Sequence, residues 1–179
     1  MKVLRKRNTG RWGRRRCKSP AAAVLQGFAA GAVGTAIFSA YQALIGSGGD
    51  GGSPPSDWSE TAEPAQVGKR VSERIFQQEV PLEKAGMVTN IVHWVYGIAW
   101  GGFYALIEES LRNPLVSGPA LGTTVVAADY TLLPMMNLYK PPWRYPATTL
   151  AKDLGHHLVY GFAVAGAYKA IDLADEHRS

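Results

Sequence analysis

The charges of this chain are segregated, and that segregation limits the fold more than any other feature of the sequence. No Asp, Glu, Lys or Arg occurs from Ser19 to Gly49 or from Gly86 to Ile107. Each run exceeds the roughly 20 residues that a helix, rising about 1.5 Å per residue, needs to cross the hydrocarbon core of a bilayer. From Asn113 to Tyr139 the one charged residue is Asp129. A fourth window, from about Thr149 to Leu173, carries Lys152, Asp153, Lys169 and Asp172 near its ends, where charged groups reach the membrane interface. Whole-chain averages conceal this pattern, because a mean hydropathy of -0.08 and a net charge of +5 also describe an ordinary basic soluble domain. The expectation is an all-α polytopic membrane protein with spans at about 20–46, 86–107, 115–138 and 149–173.

The chain also repeats itself. His93-Trp94-Val95-Tyr96-Gly97 returns as His157-Leu158-Val159-Tyr160-Gly161, and the match continues through Ala99 and Ala163, Gly102 and Gly166, Tyr104 and Tyr168, Ile107 and Ile171. The first and third spans correspond more faintly, with Ala32, Gly34, Thr35, Ala40 and Leu44 matching Ala120, Gly122, Thr123, Ala128 and Leu132. A two-helix unit is therefore duplicated. A unit that crosses twice re-enters from the same side, so the duplication is parallel, about an axis along the membrane normal, and equivalent residues share a depth.

Orientation follows from the first eighteen residues, which hold Lys2, Arg5, Lys6, Arg7, Arg11, Arg14, Arg15, Arg16 and Lys18. The positive-inside rule places this tail (1–19) in the cytoplasm, and four spans return the C-terminal tail (174–179) there. The tail's expected partner is anionic lipid headgroups rather than nucleic acid. The first apolar run is too long for the h-region of a cleaved signal. Single Cys17 excludes an internal disulfide framework. In the first outer loop a Gly/Ser/Pro stretch, 46–55, reads as a flexible linker. Val67, Val71 and Ile75 then recur every fourth residue among charges, predicting a short amphipathic helix over 64–78. The second outer loop has Tyr139, Trp143 and Tyr145 with Lys140 and Arg144, the composition of an interfacial anchor.

Small residues at four-residue spacing mark the faces where helix backbones approach in lipid. Gly34 on the first span, Gly97 and Gly101 on the second, Gly118 and Gly122 on the third and Gly161 on the fourth are the expected packing positions. Gly27 and Gly31 fall on another face of the first span, open to a homo-oligomer. The same stripes carry His93, Asp129 and His157 to one level in the outer half of the membrane, with Asn90 and Asp153 a turn above. His156 points about 100° away.

Intramembrane His, Asn and Tyr act as interhelical hydrogen-bond glue. Asp129 demands more, since a carboxylate at that depth has to be protonated or paired. The leading expectation is a non-enzymatic protein with no cofactor, whose His/Asp set organises the bundle. The alternative is a proton- or metal-handling site built from His93, Asp129 and His157, the metal being a transition ion or a haem b held by the paired histidines. There is no HExxH, Cys pair or Glu-x-x-His signature, no Walker loop, no dinucleotide fingerprint and no GxSxG elbow.

His93-Trp94, Tyr96-Gly97 and Trp100-Gly101, the helix before them and the stretch from Asp153 to Gly161 resemble the YagU-like family of small bacterial inner-membrane proteins, over about Ala21 to Leu173. The resemblance implies a bacterial plasma-membrane location. That family is of unknown function and supplies no activity.

Overall fold

The computed structural model describes residues 19–46 and 55–178. The basic tail up to Lys18, most of the glycine-rich linker and Ser179 lie outside the described residues. Every described regular element is helical: α1 (Pro20–Leu44), α2 (Glu63–Val71), α3 (Ala85–Leu111), α4 (Pro114–Met135) and α5 (Ala147–Arg178), with three short 3-10 turns. The all-α class is as expected from the sequence.

Local chemistry sets the helix ends. The Ser19 hydroxyl accepts from the Ala22 amide at 3.2 Å and Pro20 follows at the first helical position, so α1 starts where the tail's charge stops. Between α3 and α4 the turn is two residues. Arg112 adopts a left-handed conformation (φ 50°) and Asn113 caps α4 by accepting from the Leu115 amide at 3.1 Å. The helix expected over 64–78 is an α-helix only to Val71, and a π-helical turn, Ser72–Phe76, completes it. The segment expected to be a tail from 174 continues α5 as helix to Arg178.

α1, α3, α4 and α5 form a four-helix ring in which α1 packs on α3 and α5, and α4 packs on the same two. α1 and α4 thus occupy opposite corners, as do α3 and α5. These are the pairs that the sequence repeat equates, so the ring has the arrangement of a two-fold axis along its centre. Tyr104 and Tyr168, equivalent in the repeat, meet edge to face at 5.4 Å, both buried. Two equivalent residues touch in this way only close to such an axis.

Backbone proximity closes the ring. A Cβ on Gly27 would lie 2.5 Å from the Gly101 carbonyl oxygen, and one on Gly122 would lie 2.5 Å from that of His157. Gly34 abuts Val164, Gly97 abuts Thr35, and Gly118 and Gly161 face each other. All six glycines assigned to packing therefore lie at helix contacts. Gly27 and Gly31 correct the expectation of a free face: both pack on α3 at Gly101, so that face is spent inside the bundle.

Among the described helices α1 alone is both long and apolar enough to cross a membrane by length and composition. α3, α4 and α5 have the length, at 27, 22 and 32 residues. Their hydropathy is diluted by His, Trp, Tyr, Gly and Pro in α3 and α4 and by charge toward both ends of α5.

Candidate functional site

The bundle holds two polar clusters, one toward each end: the first is half-buried and opens to the bundle surface at Tyr96, short of the buried set expected from the sequence, and the second is buried. At the end where α1 finishes and α5 begins, His157 Nε2 on α5 lies 3.3 Å from Asp129 Oδ2 on α4. Asp129 Oδ1 accepts from the Tyr96 hydroxyl on α3 at 2.6 Å, so one carboxylate ties three helices. The other imidazole nitrogen, Nδ1, lies 2.8 Å from the Asp153 carbonyl oxygen one turn earlier in α5.

That geometry fixes a proton. A carbonyl oxygen can only accept, so Nδ1 must donate to it, and neutral imidazole then presents a lone pair at Nε2. A lone pair facing a carboxylate is repulsive. The 3.3 Å contact is favourable only with one proton between Nε2 and Oδ2, held as imidazolium and carboxylate or as imidazole and carboxylic acid. Both forms are neutral as a pair.

His93 sits differently. Its Nε2 pairs with Ser39 Oγ on α1 at 3.1 Å, and its ring stacks on Phe38 at 6.1 Å. Phe38 also touches His157, at 6.3 Å between ring centroids, and so adjoins both histidines. The repeat explains the asymmetry. The position equivalent to Asp129 is Tyr41, which packs on Phe38 and on His156, so only the second unit gives its histidine a carboxylate. Tyr160, equivalent to Tyr96, donates instead to the Gly97 carbonyl at 2.5 Å, joining α5 to α3 across the ring.

Two expected members stand apart from this core. Asp153 turns its carboxylate to the Tyr130 hydroxyl, at the rim of the bundle. Asn90 is exposed: α2 packs on this end of α3 through Val88 and Val92 against Gly68, and Asn90 faces the other way, into a shallow recess of about 450 Å³ with Met87, Ile91, Trp94 and Val95. No three His, Cys, Asp or Glu side chains converge as a metal site requires among the described residues. His93 and His157 thus both adjoin Phe38, and Asp129 contacts His157 without the three forming one ligand set.

Sequence reasoning missed the second cluster, at the opposite end. Glu108 is buried at 8 % exposure and accepts from the Tyr104 hydroxyl at 3.0 Å and from Ser117 Oγ at 2.5 Å, the two hydroxyls lying 2.8 Å apart. Nearby, Gln26 Nε2 on α1 donates to the Tyr168 carbonyl and to Asp172 Oδ1 on α5, both at 2.9 Å. The signal for Glu108 was present: continuing the Gly97, Gly101, Tyr104 stripe by four residues lands on it. Between the clusters lie Leu121, Val125 and Val164, all fully buried. Every buried side-chain nitrogen and oxygen among the described residues has a hydrogen-bond partner.

A protein-family model described as a family of unknown function, DUF6789, matches residues 21–179. No curated protein and no solved structure matches the chain.

Proposed function

The chain belongs to the DUF6789 family of unknown function, and we propose that it is a four-helix integral membrane protein whose interhelical polar clusters hold the bundle in one arrangement. The observation that carries this reading is the exposed apolar surface: Leu25, Val33 and Ile37 on α1, Ile91, Val95 and Phe103 on α3, Leu115 and Leu132 on α4 and Phe162 on α5 are all exposed, while Gln26, Thr35, Glu108 and Ser117 are buried within an otherwise apolar core. A water-soluble bundle turns polar side chains outward at such positions, and an apolar belt of this extent needs lipid or another partner to cover it. The buried polar groups all have hydrogen-bond partners, within one helix for Thr35 and across helices for Gln26 and Ser117, as a surrounding that offers no hydrogen bonds requires. The likeness to YagU-like proteins adds a bacterial plasma membrane to the proposal, with both termini cytoplasmic and the basic tail on anionic headgroups.

A second reading rests on one specific contact. The proton held between His157 and Asp129, with Tyr96 as a further donor, is the minimum equipment of a proton-handling site. The first test is fractionation. The full-length protein should stay with membranes through alkaline carbonate washing and leave them only in detergent, and release by carbonate alone would refute the integral assignment. Loss of an associated phenotype in Asp129→Asn, with expression and stability unchanged, would move the weight to the second reading.

A further inference from the structure

The turn between α4 and α5 is more firmly built than a connection requires, and it presents three side chains outward. Backbone bonds stitch its start, with the Met136 amide donating to the Leu132 carbonyl at 3.1 Å and that of Leu138 to Leu133 at 2.9 Å, while Asn137 takes a left-handed conformation (φ 55°). Pro141 and Pro142 then lead into a 3-10 turn, Pro142–Arg144, closed by the Arg144 amide on the Pro141 carbonyl at 2.9 Å. Beneath it Tyr130, Tyr139 and Tyr145 pack in a triangle with ring separations of 5.5 to 6.0 Å, and the Tyr145 hydroxyl accepts from the Lys140 amide at 3.1 Å. The tyrosines are the scaffold. Trp143 takes no part in it and stands 80 % exposed, with the exposed Lys140 and Arg144 on either side in sequence.

We propose that this turn is a phospholipid-binding element, in which Trp143 enters the headgroup and upper acyl region of the outer leaflet while Lys140 and Arg144 bind lipid phosphates. Three observations support it, resting on the membrane reading above. Residues 136–146 contain two cations and no acid, and neither cation has an ion pair among the described residues, so the charge complements phosphate. The exposed apolar surface of α4 leads directly to the turn through Leu132 and Met135. Trp, amphipathic and large, is the side chain that favours the level where apolar chain meets headgroup. A rigid turn also places it there without the ordering cost of a flexible loop.

The chain has five tryptophans, so depth can be read from single-tryptophan forms. One full-length variant keeps Trp143 with Trp12, Trp58, Trp94 and Trp100 changed to Phe. A control changes all five and adds Val95→Trp on the exposed belt of α3. Both are reconstituted in phospholipid vesicles brominated either near the headgroup or deep in the chains. Trp143 should be quenched mainly by shallow bromines and the Val95 probe mainly by deep ones. Lys140→Ala with Arg144→Ala should shift Trp143 emission toward that of tryptophan in water and reduce the shallow quenching. If Trp143 is quenched by aqueous iodide and not by either lipid while the Val95 probe responds to lipid, the element is refuted and the membrane reading stands. If neither probe responds to lipid, both fall. Unchanged Trp143 quenching in the double alanine variant would overturn the phosphate assignment.

Discussion

Gly122→Ala is the most informative single change in the packing, because the atoms it meets cannot move aside. The new Cβ would lie 2.5 Å from the His157 carbonyl oxygen, 2.8 Å from its carbon and 3.0 Å from the Leu158 amide nitrogen, all α5 backbone. Ordinary contact begins near 3.4 Å, so α4 and α5 must separate by about 0.9 Å at this level. Asp129 lies seven residues further along α4, roughly 10 Å, and its 3.3 Å contact with His157 has little reserve against such a shift. Overpacking of this kind costs about 1–3 kcal/mol, against which alanine's better helix propensity returns about 1 kcal/mol. Gly166→Ala separates the two terms: nothing lies within 4 Å of a Cβ there, so only the propensity gain remains. Reversible unfolding of both full-length variants in mixed micelles under increasing denaturing detergent should therefore give Gly166→Ala the higher stability, by about 1–3 kcal/mol. Equal stabilities, or a more stable Gly122→Ala, would refute the close-packed α4–α5 seam.

The polar clusters give further outcomes in the same assay. Asp129→Asn should stay within about 1 kcal/mol of the parent, since the amide can accept from Tyr96 and donate to neutral His157, whereas Asp129→Leu strands both partners and should lose about 1–3 kcal/mol. Ser117→Ala removes the shortest donor to the buried Glu108 and should cost about 1–3 kcal/mol. Glu108→Leu should cost less, because Tyr104 can donate to Ser117 and Ser117 to the Asn113 carbonyl. In the segment between α1 and α2 the Ser59 amide and hydroxyl hold the Asp57 carboxyl below its usual range, and Ser56 does the same for Glu60. Such depressed acids stabilise the fold above their unfolded values and lose that contribution as pH falls through the folded ones. The turn around Trp58 should thus stay ordered at neutral pH and loosen only below the normal carboxylate range, seen as a change in Trp58 emission there and none near pH 6.

Charge-free length and small-residue spacing made the helices and their facing glycines legible, because both are local consequences of helix geometry. The contact between His157 and Asp129 was legible for a related reason: counting residues from each helix end gives depth, and the stripes give direction. Asn90 failed the same argument. Helical rotation puts it on the inward stripe, but at that end α3 packs on α2 through Val88 and Val92, which leaves Asn90 facing outward, and no local pattern announces which element packs there. Gly27 and Gly31 were misassigned because α1 is apolar on every side, so its sequence does not distinguish a face toward lipid from one toward α3. Glu108 was not singled out, because its burial depends on Ser117 from the next helix, brought close by a two-residue turn.

The central claim is that four helices cross a membrane as two parallel copies of one hairpin, and topology tests it most directly. Reporter fusions after Cys17 and after Ser179 should both read cytoplasmic, and one after Gly52 should read external. Termini on opposite sides, or an internal reading after Gly52, would contradict the four-span arrangement and the parallel repeat together.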